Sequence, residues 1–203
     1  MSSDHYFSAA PGSDDSSRAI TVTLAGAERE LLTAGGVFSP GHLDEGTDAL
    51  LRLAPEPPLA GDLLDLGCGW GPIALSLALR APEATVWAVD VNERALELTR
   101  ANAARLGLEN VRAVTAAEVP AELRFAAIYS NPPIRVGKAV LHELLETWLP
   151  RLSPGAEAHL VVAKHLGAPS LERWLGETFA ASHRVERGDH RRGFRLLHAA
   201  ALG

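Results

Sequence analysis

The first stretch with residues suited to chemistry is a turn that contains three glycines at alternate positions. It follows a short apolar run. The run is Asp62-Leu63-Leu64-Asp65-Leu66, and the turn is Gly67-Cys68-Gly69-Trp70-Gly71. This G-x-G-x-G spacing differs from the dinucleotide fingerprint G-x-G-x-x-G. Glycine lets a ligand approach the backbone, whereas the Asp65 carboxylate would repel a pyrophosphate and attract an ammonium group. The turn therefore favours the methionine end of S-adenosylmethionine over a nicotinamide dinucleotide. The alternative is a tight turn with no ligand.

An acid ends the next predicted strand. Asp90 follows Thr85–Val89 and stands 23 residues after Gly67. Nucleotide-binding sheets place the carboxylate that accepts hydrogen bonds from the ribose hydroxyls at this point. Alone, Asp90 would be an ordinary strand-end residue before a helix cap, Asn92. Paired with the glycine turn at this spacing, it favours a ribose contact.

The second chemical stretch, Ser130-Asn131-Pro132-Pro133, follows the predicted strand Phe125–Tyr129. Two prolines stiffen the backbone and remove two donors, so the carbonyls and the Asn131 amide oxygen act as acceptors. Such acceptors can hold both hydrogens of a planar amine and aim its lone pair at a methyl group. We therefore predict that Asn131, Pro132 and Pro133 form the catalytic clamp. The alternative is a common loop breaker.

Bulk properties exclude several classes of protein. The chain has 203 residues and a formal net charge of -6, so it is no polybasic nucleic-acid binder as a whole. Its single cysteine, Cys68, excludes an intrachain disulfide and a cysteine-rich zinc site. The N-terminus lacks a signal-peptide pattern, and no apolar run approaches the roughly 20 residues of a membrane span. A cytoplasmic location without membrane contact is expected.

The elements that must position these residues alternate between strand and helix, which predicts a mainly parallel sheet covered on both faces. Before them, residues 8–18 are typical of a mobile tail, and Ala19–Leu24 with Glu28–Thr33 predict a hairpin. We expect a flexible tail at 1–18, a small cap at 19–58 and the main domain at 59–203. Pro154-Gly155 predict a turn, and two antiparallel strands close the chain. The predicted elements are helices at Thr47–Leu53, Ile73–Arg80, Glu93–Leu106, Lys138–Leu149 and Ser170–Phe179, and strands at Leu63–Leu66, Thr85–Val89, Val111–Thr115, Phe125–Tyr129, Ala158–Ala163, Arg184–Arg187 and Phe194–Ala199.

Other chemical patterns are weaker. His142-Glu143 lacks the second histidine of a zinc helix, so no metal site is predicted, and the remaining histidines are expected to be solvated or structural. Trp70 is a candidate for the wall of the cofactor pocket. The segment 183–195 carries five arginines, among them Arg191 and Arg192, against two acids. This segment is either a solvated surface or a phosphate-binding surface, and the same alternatives hold for Arg135 and Lys138.

At this point the chain resembles the class I methyltransferases with the small-domain signature, which include the ribosomal RNA guanine-N2 methyltransferases. It is most similar to their short single-domain members, over nearly the whole chain from His5 onward. Their Asn-Pro-Pro-Ile-Arg-x-Gly-Lys run is matched by residues 131–138, and a late Lys-x-x-Gly-Ala-x-Ser run by residues 164–170. The resemblance also rests on residues 36–39, Asp44-Glu45-Gly46-Thr47, residues 65–71 and Asp90-Val91-Asn92.

The resemblance implies a Rossmann-like seven-stranded methyltransferase sheet with a small N-terminal β-hairpin cap, and S-adenosylmethionine as cofactor. We expect contacts to substrate from Ile134, Arg135, Lys138, Arg191 and Arg192. The clamp would orient the target amine. The implied cofactor contacts are Asp65, Gly67, Gly69, Gly71, Asp90, Val91, Ala117, Asn131 and Thr47.

Two positions depart from the family pattern. Relatives often place an aromatic after Asn-Pro-Pro to stack on the target, and Ile134 cannot stack. Relatives also often have an acid after the third strand for the adenine amine. Ala117 stands there, with Glu118 as a candidate substitute. The larger guanine-N2 enzymes carry a duplicated N-terminal domain that this chain is too short to hold, so substrate selection would use the cap, a partner or a homodimer.

The function expected from the sequence is methylation of an exocyclic amine, guanine N2 of ribosomal RNA, with ribosomal RNA or a ribosomal subunit as the partner. One alternative is methylation of a protein glutamine amide, which presents a similar planar nitrogen. Another is a non-catalytic RNA-binding or assembly module that keeps the fold. Asp65, the glycine turn, Asp90 and Asn131 together argue against the latter, because a scaffold needs no such set.

Overall fold

The computed structural model describes residues 17–203, except for the side chains of Arg135 and Leu166. Nine strands and five helices follow one another in the described chain, with four short 3-10 turns at residues 116–118, 134–136, 149–151 and 164–166. The elements are β1 Ser17–Leu24, β2 Ala27–Ala34, α1 Glu45–Leu53, β3 Ala60–Leu66, α2 Pro72–Arg80, β4 Glu83–Val89, α3 Glu93–Arg105, β5 Val111–Val114, β6 Phe125–Ser130, α4 Lys138–Trp148, β7 Leu152–Ala163, α5 Ala168–Thr178, β8 His183–Arg191 and β9 Phe194–Ala201.

Strands β3 to β9 form one sheet in the order β5-β4-β3-β6-β7-β9-β8. The pairs among β3, β4, β5, β6 and β7 are parallel, whereas β9 runs antiparallel to both β7 and β8. Chain order reverses beside β3, so the carboxyl ends of β3, β4 and β6 meet at a topological switch point, where ligands bind in such sheets. The seven-stranded sheet and its antiparallel closing pair are confirmed.

Helices cover both faces of the sheet. On one face, α4 and α5 pack on Phe125, Leu160 and Leu197, which are fully buried. On the other face, α1 and α2 contribute Leu50 and Ala74 to a second core. The sequence explains the helix starts, since Asn92 caps α3 by accepting from the Arg94 backbone N–H and Pro72 occupies the first turn of α2. No helix of the described chain is long and apolar enough to cross a membrane.

The predicted N-terminal hairpin is confirmed as a separate two-stranded sheet, β1–β2, closed by a two-residue turn at Ala25-Gly26. It packs through Leu31 on a third core that includes Trp70. Asn102 of α3 holds the edge of β2, because its amide accepts from the Leu32 N–H at 2.6 Å and donates to the Leu32 carbonyl at 2.9 Å. The predicted tail falls on residues 1–16, outside the described residues, and on Ser17 and Arg18, which belong to β1.

Two predictions about local structure are wrong. Pro154-Gly155 do not make a turn before the strand: β7 already begins at Leu152 and passes through them with a register shift opposite Phe125 and Ala127. Gly155 allows this irregularity at φ +76°. Trp70 does not line the cofactor pocket. It is 2% exposed under the hairpin, and its indole N–H donates to the Ser39 carbonyl at 3.3 Å.

Candidate active site

A cavity of about 410 Å³ opens at the carboxyl ends of β3, β4, β6 and β7. Its size is in the range of small-molecule sites. We call the wall formed by Gly67, Gly69 and Asp90 the cofactor half, and the wall formed by Asn131, Pro132 and Pro133 the amine half. The lining residues are Phe38, Asp44, Leu66, Gly67, Gly69, Val89, Asp90, Val91, Asn92, Ala95, Ala116, Asn131, Pro132, Pro133, Ile134, Leu144, Trp148, Val161, Ala163, His165 and Phe194.

The three glycines of the turn have different roles. All adopt left-handed backbone, at φ +81°, +55° and +95° for Gly67, Gly69 and Gly71. A Cβ added to Gly67 or Gly69 would meet no atom within 4 Å, whereas one added to Gly71 would lie 2.9 Å from Thr99 Oγ1. Gly67 and Gly69 therefore leave open space on the cavity wall for a ligand to approach the backbone. Gly71, which is not on that wall, allows close packing of the turn on α3.

Asp65 lies behind the turn, fully buried and off the cavity wall. Its Oδ2 accepts a hydrogen bond from the Ala74 N–H at 2.9 Å, while Oδ1 has no partner among the described residues. Burial raises the pKa of Asp65 to about 8, the Ala74 hydrogen bond acts against this rise, and the nearby Asp90 charge adds to it. An unpaired buried carboxylate oxygen beside a glycine turn fits the ammonium group of a methionine moiety, because a cation would stabilise the ionised form.

Asp90 is on the cavity wall, as its spacing predicts. Its Oδ2 accepts from the Gly69 N–H and its Oδ1 from the Asn92 N–H, both at 2.9 Å, so the carboxylate is fixed against the turn. Burial raises its pKa above the usual range of an aspartate, and backbone hydrogen bonds oppose the rise. Val91, half-exposed beside it, also lines the cavity. Each carboxylate oxygen keeps a lone pair for a ribose hydroxyl.

The segment after β5 offers no acid to the cavity. Ala116, one residue before the predicted Ala117, lines it. Glu118 is exposed and accepts from the Thr115 N–H and hydroxyl at 2.7 and 2.8 Å, which lowers the pKa of Glu118. Its carboxylate therefore caps its own turn and is not a lining group. The adenine end of a nucleoside would meet an apolar wall here.

The amine half is oriented by α1, an element whose contribution the sequence analysis missed. The Asn131 amide nitrogen donates to Asp44 Oδ2 at 2.7 Å and to Thr47 Oγ1 at 3.1 Å. Asp44 Oδ2 also caps α1 by accepting from the Gly46 and Thr47 backbone N–H groups at 2.8 and 3.1 Å. Both amide hydrogens of Asn131 are thus engaged, and its oxygen, without a partner among the described residues, remains an acceptor. Thr47, predicted as a cofactor contact, is buried and off the cavity wall.

The two prolines form a tight turn on the wall. Pro133 has φ −75° and ψ 72°, and the Pro132 carbonyl accepts from the Ile134 N–H at 2.8 Å, which is an inverse γ-turn. One lone pair of that carbonyl is therefore used within the chain and the other is left. Ser130, buried at the end of β6, donates its hydroxyl to the Leu66 carbonyl at 2.6 Å and so ties β6 to β3.

Aromatic side chains missed by the sequence analysis line the cavity near the clamp. Ile134 is on the wall, as predicted, and Phe38 and Phe194 are there with it. Phe38 belongs to the segment 36–39 that carries the family resemblance, which was the available signal. Phe194 begins β9 directly after the basic hairpin and gave no separate signal. Phe38, in the loop before α1, and Phe194, at the start of β9, thus place on the cavity wall the flat rings that Ile134 lacks.

Lys138, Arg191 and Arg192, which were predicted to contact substrate, are not on the cavity wall. Arg191 Nε lies 3.5 Å from Asp48 Oδ2, an ion-pair distance without hydrogen-bond geometry. Arg192, exposed at the β8–β9 turn with φ +47°, has no ion pair or hydrogen bond with the described residues. Lys138 donates to Ser170 Oγ at 3.5 Å, and the Arg135 side chain is outside the described part of the chain. The structure therefore pairs some of these charges within the chain and leaves Arg192 available.

Comparison with known proteins gives the family. Residues 28–198 match the family model "Methyltransferase small domain". The uncharacterized protein YbxB of Bacillus subtilis strain 168 is 37% identical over 180 residues, which cover 87% of this chain and 90% of that protein. Ribosomal RNA small subunit methyltransferase C of Stutzerimonas stutzeri strain A1501 is 35% identical over 94% of this chain and 57% of that protein.

A solved structure agrees with this relationship. The T. thermophilus 16S rRNA N2 G1207 methyltransferase (RsmC), in complex with AdoMet and guanosine, matches with a TM-score of 0.76 and 28% identity. The match covers 91% of this chain and 50% of that one, so this chain spans about half the length of the methyltransferase C relatives. The chain therefore belongs to the methyltransferase small domain family, and its cofactor is S-adenosylmethionine.

Proposed function

We propose that this chain transfers the methyl group of S-adenosylmethionine to the exocyclic N2 amine of guanine in ribosomal RNA. The observation that carries the proposal is the orientation of the Asn131 amide. Asp44 and Thr47 accept from its nitrogen, so its oxygen is the free group on the cavity wall. A free, fixed acceptor at the carboxyl end of β6 suits a donor group such as an –NH2.

The step needs positioning more than proton transfer by the protein. When bound, the cofactor supplies an activated methyl group on a sulfonium. Asn131 Oδ1 and the remaining lone pair of the Pro132 carbonyl would accept the two amine hydrogens, which turns the nitrogen lone pair toward that methyl. The N–C bond would form as the S–C bond of the cofactor breaks, and the amine would then lose one proton to solvent. Positive charge developing on the nitrogen is offset by these two acceptors.

Three observations support a nucleobase in RNA as the target. The aromatic rings of Phe38 and Phe194 on the cavity wall provide surfaces on which a base can stack. Arg192 is exposed without a carboxylate partner among the described residues, which suits a phosphate contact. Relatives at 35% identity and a solved structure at 28% are named for ribosomal RNA methylation.

The experiment is methyl transfer from labelled S-adenosylmethionine to ribosomal subunits that lack modifications, followed by mass spectrometry of the digested RNA. The expected product is N2-methylguanosine at one position. If the label appears at a glutamine amide of a protein and not in the RNA, the chain is a protein glutamine methyltransferase and the RNA proposal is wrong. Binding of subunits without transfer would show a non-catalytic module.

Substrate selection is proposed to use a surface outside the cavity. We place it on the cap, proposed as residues 19–58, on a ribosomal partner, or on a second copy of this chain. The proposed division assigns α1 to the cap, although its Leu50 packs into the core of the main sheet. The proposal includes a cytoplasmic location, where ribosomal subunits are available.

A further inference from the structure

Three side chains that methyl transfer does not use converge on one face of the sheet. His159 on β7 and His198 on β9 are direct cross-strand partners. Glu157 lies two residues before His159 and therefore on the same face of β7. The group is separate from the cavity wall, which β7 reaches only at Val161 and Ala163.

The ligating atoms of the three side chains form a compact triangle. His159 Nδ1 and His198 Nδ1 are 3.1 Å apart, and Glu157 Oε2 lies 3.6 Å from the first and 3.5 Å from the second. Only the nitrogen pair is close enough for a hydrogen bond, so the carboxylate oxygen faces two ring nitrogens without bonding to either. A cation placed between them would interact favourably with all three atoms together.

The triangle has the dimensions of a transition-metal site. A tetrahedral ion with ligand bonds of about 2.0–2.2 Å has edges of about 3.3–3.6 Å between its ligand atoms. The observed edges of 3.1, 3.5 and 3.6 Å place one point about 2.0 Å from all three atoms. The two imidazole planes are 83° apart, so the rings meet edge to face instead of stacking. An ion can therefore enter with only small side-chain shifts.

Burial prepares His159 as a ligand. The His159 side chain is 3% exposed, and burial, with a smaller effect of His198, lowers the pKa of His159 to about 3. Its ring is therefore neutral at physiological pH, the form that coordinates metal. Glu157 keeps 33% of its side chain exposed, which provides an entry path and a negative charge.

We propose that Glu157, His159 and His198 bind one divalent transition-metal ion of the zinc class. Two imidazoles and one carboxylate favour Zn²⁺, Ni²⁺ or Cu²⁺ over Mg²⁺ and Ca²⁺, which prefer oxygen ligands throughout. Three protein ligands leave a fourth position for water. The ion joins β7 to β9 outside the methyl-transfer cavity, so its role is to hold these two strands together and not to act on the methyl group.

The test is titration of the untagged, metal-stripped protein with Zn²⁺ by calorimetry, and with Co²⁺ by visible absorption. The expected result is one ion per chain and the absorption bands of tetrahedral Co²⁺. His198→Gln and Glu157→Gln should each weaken Zn²⁺ binding about 100-fold or more, since even outer-shell changes cost about 10–100-fold. His190→Gln and Glu146→Gln, which alter exposed residues outside the group, are the matched controls and should bind as the wild type does.

Two results would overturn the proposal. The first is wild-type protein that binds no stoichiometric Zn²⁺, a measurement that depends on no variant. The second is Zn²⁺ binding that survives both His198→Gln and Glu157→Gln in protein whose circular dichroism is unchanged. Either would leave the two histidines as a hydrogen-bonded pair. Because both substitutions alter partly exposed side chains, the fold should tolerate them better than a change at buried His159.

Discussion

The two halves of the cavity wall are built in different ways. The cofactor half consists of backbone at Gly67 and Gly69 and of a carboxylate, Asp90, that is fixed by main-chain N–H groups of its own turn region. The amine half depends on a side chain, Asn131, whose amide is oriented by Asp44 and Thr47, 87 and 84 residues earlier in the chain. One half is assembled from neighbouring strand ends, the other from distant segments.

This difference separates the two tasks of the site. Backbone N–H groups and glycines leave few side chains to change on the cofactor half, so it should respond mainly to changes of backbone or of buried charge. On the amine half, two acceptors, Asp44 Oδ2 and Thr47 Oγ1, decide which atom of the Asn131 amide faces the substrate. We therefore expect substitutions on the amine half to alter catalysis, and those on the cofactor half to alter affinity and stability.

Asn131→Ala gives the largest expected effect. Loss of a pre-organised acceptor should lower kcat about 100- to 1000-fold, while the Kd of S-adenosylmethionine changes only a few-fold. Single-turnover methylation beside cofactor titration measures both quantities. If turnover stays near wild type while cofactor binding is lost, Asn131 belongs to the cofactor half, and the two halves do not have separate tasks.

Asp65→Asn tests the buried carboxyl group behind the cofactor half. Because the pKa of Asp65 is raised to about 8, the folded protein keeps a proton that the unfolded chain releases above about pH 4. Stability of the cofactor-free protein should therefore fall as pH rises from about 4 to about 8 and then level off. The variant lacks this loss and should be several kcal/mol more stable than wild type at pH 7.5, yet bind the cofactor more weakly.

Denaturant unfolding at several pH values measures this difference, with Asp62→Asn on the same strand as the control. The cofactor's ammonium should also ionise Asp65, so wild-type binding near pH 7 should release a proton. Calorimetry in two buffers of different ionisation enthalpy detects that release. Equal pH dependence in wild type and Asp65→Asn would contradict the assignment.

Gly67→Ala and Gly71→Ala test whether these two glycines of the turn have different roles. A Cβ at Gly67 enters the open space of the cavity, whereas one at Gly71 lies 2.9 Å from Thr99 Oγ1. Both substitutions strain a left-handed backbone by about 1–2 kcal/mol. We expect Gly67→Ala to weaken cofactor binding about tenfold or more beyond its stability loss, and Gly71→Ala to lose further stability through the clash. Thermal unfolding measures the loss of stability, and cofactor titration measures the loss of affinity. If both variants lose affinity in the same proportion to their loss of stability, the two glycines do not have different roles.

Thr47→Val removes one of the two acceptors of the Asn131 amide and keeps the shape of the side chain. We expect kcat to fall about tenfold, the cost of one hydrogen bond of about 1–1.5 kcal/mol, with the cofactor Kd unchanged. Thr47→Ser retains the hydroxyl and should restore kcat, which a purely structural role of the methyl group would not do. A loss of cofactor affinity in Thr47→Val would instead support a direct cofactor contact.

Arg192→Gln has the smallest expected effect and concerns RNA outside both halves. The exposed guanidinium should contribute one phosphate contact, so the slope of log affinity against log salt should decrease by about one unit. Arg184→Gln is the control, because Arg184 already pairs with Glu186 at 2.9 Å. Identical salt slopes for both variants and the wild type would show that Arg192 is only solvated.

The fold and the cofactor half could be predicted because their signals are local. Asp65, the glycine turn and Asp90 stand within 26 residues, and their strands are adjacent in the sheet. The link from Asn131 to Asp44 and Thr47 could not be derived, since nothing in residues 44–47 indicates which distant amide they will face. Their place in the family signature indicated only that these residues are important for the family.

Other differences have physical causes as well. Pro154-Gly155 were interpreted as a turn from residue type, but pairing of β7 with β6 carries the strand through them with a register shift. Gly71 was grouped with Gly67 and Gly69 by spacing, although the direction of its missing Cβ, toward Thr99, appears only in three dimensions. His159 and His198 are 39 residues apart, and only strand register brings them together.

One carboxylate oxygen, Asp44 Oδ2, receives three N–H groups, two from the start of α1 and one from Asn131. An amide is a conjugated group, so an anion held against its nitrogen shifts electron density toward its oxygen, as linked hydrogen bonds polarise one another. In the proposed reaction that oxygen faces a nitrogen that becomes positive. The negative charge of Asp44 thereby increases the electron density on the Asn131 amide oxygen next to the reacting nitrogen. The residue that caps α1 thus also sets the basicity of the hydrogen-bond acceptor in the proposed reaction.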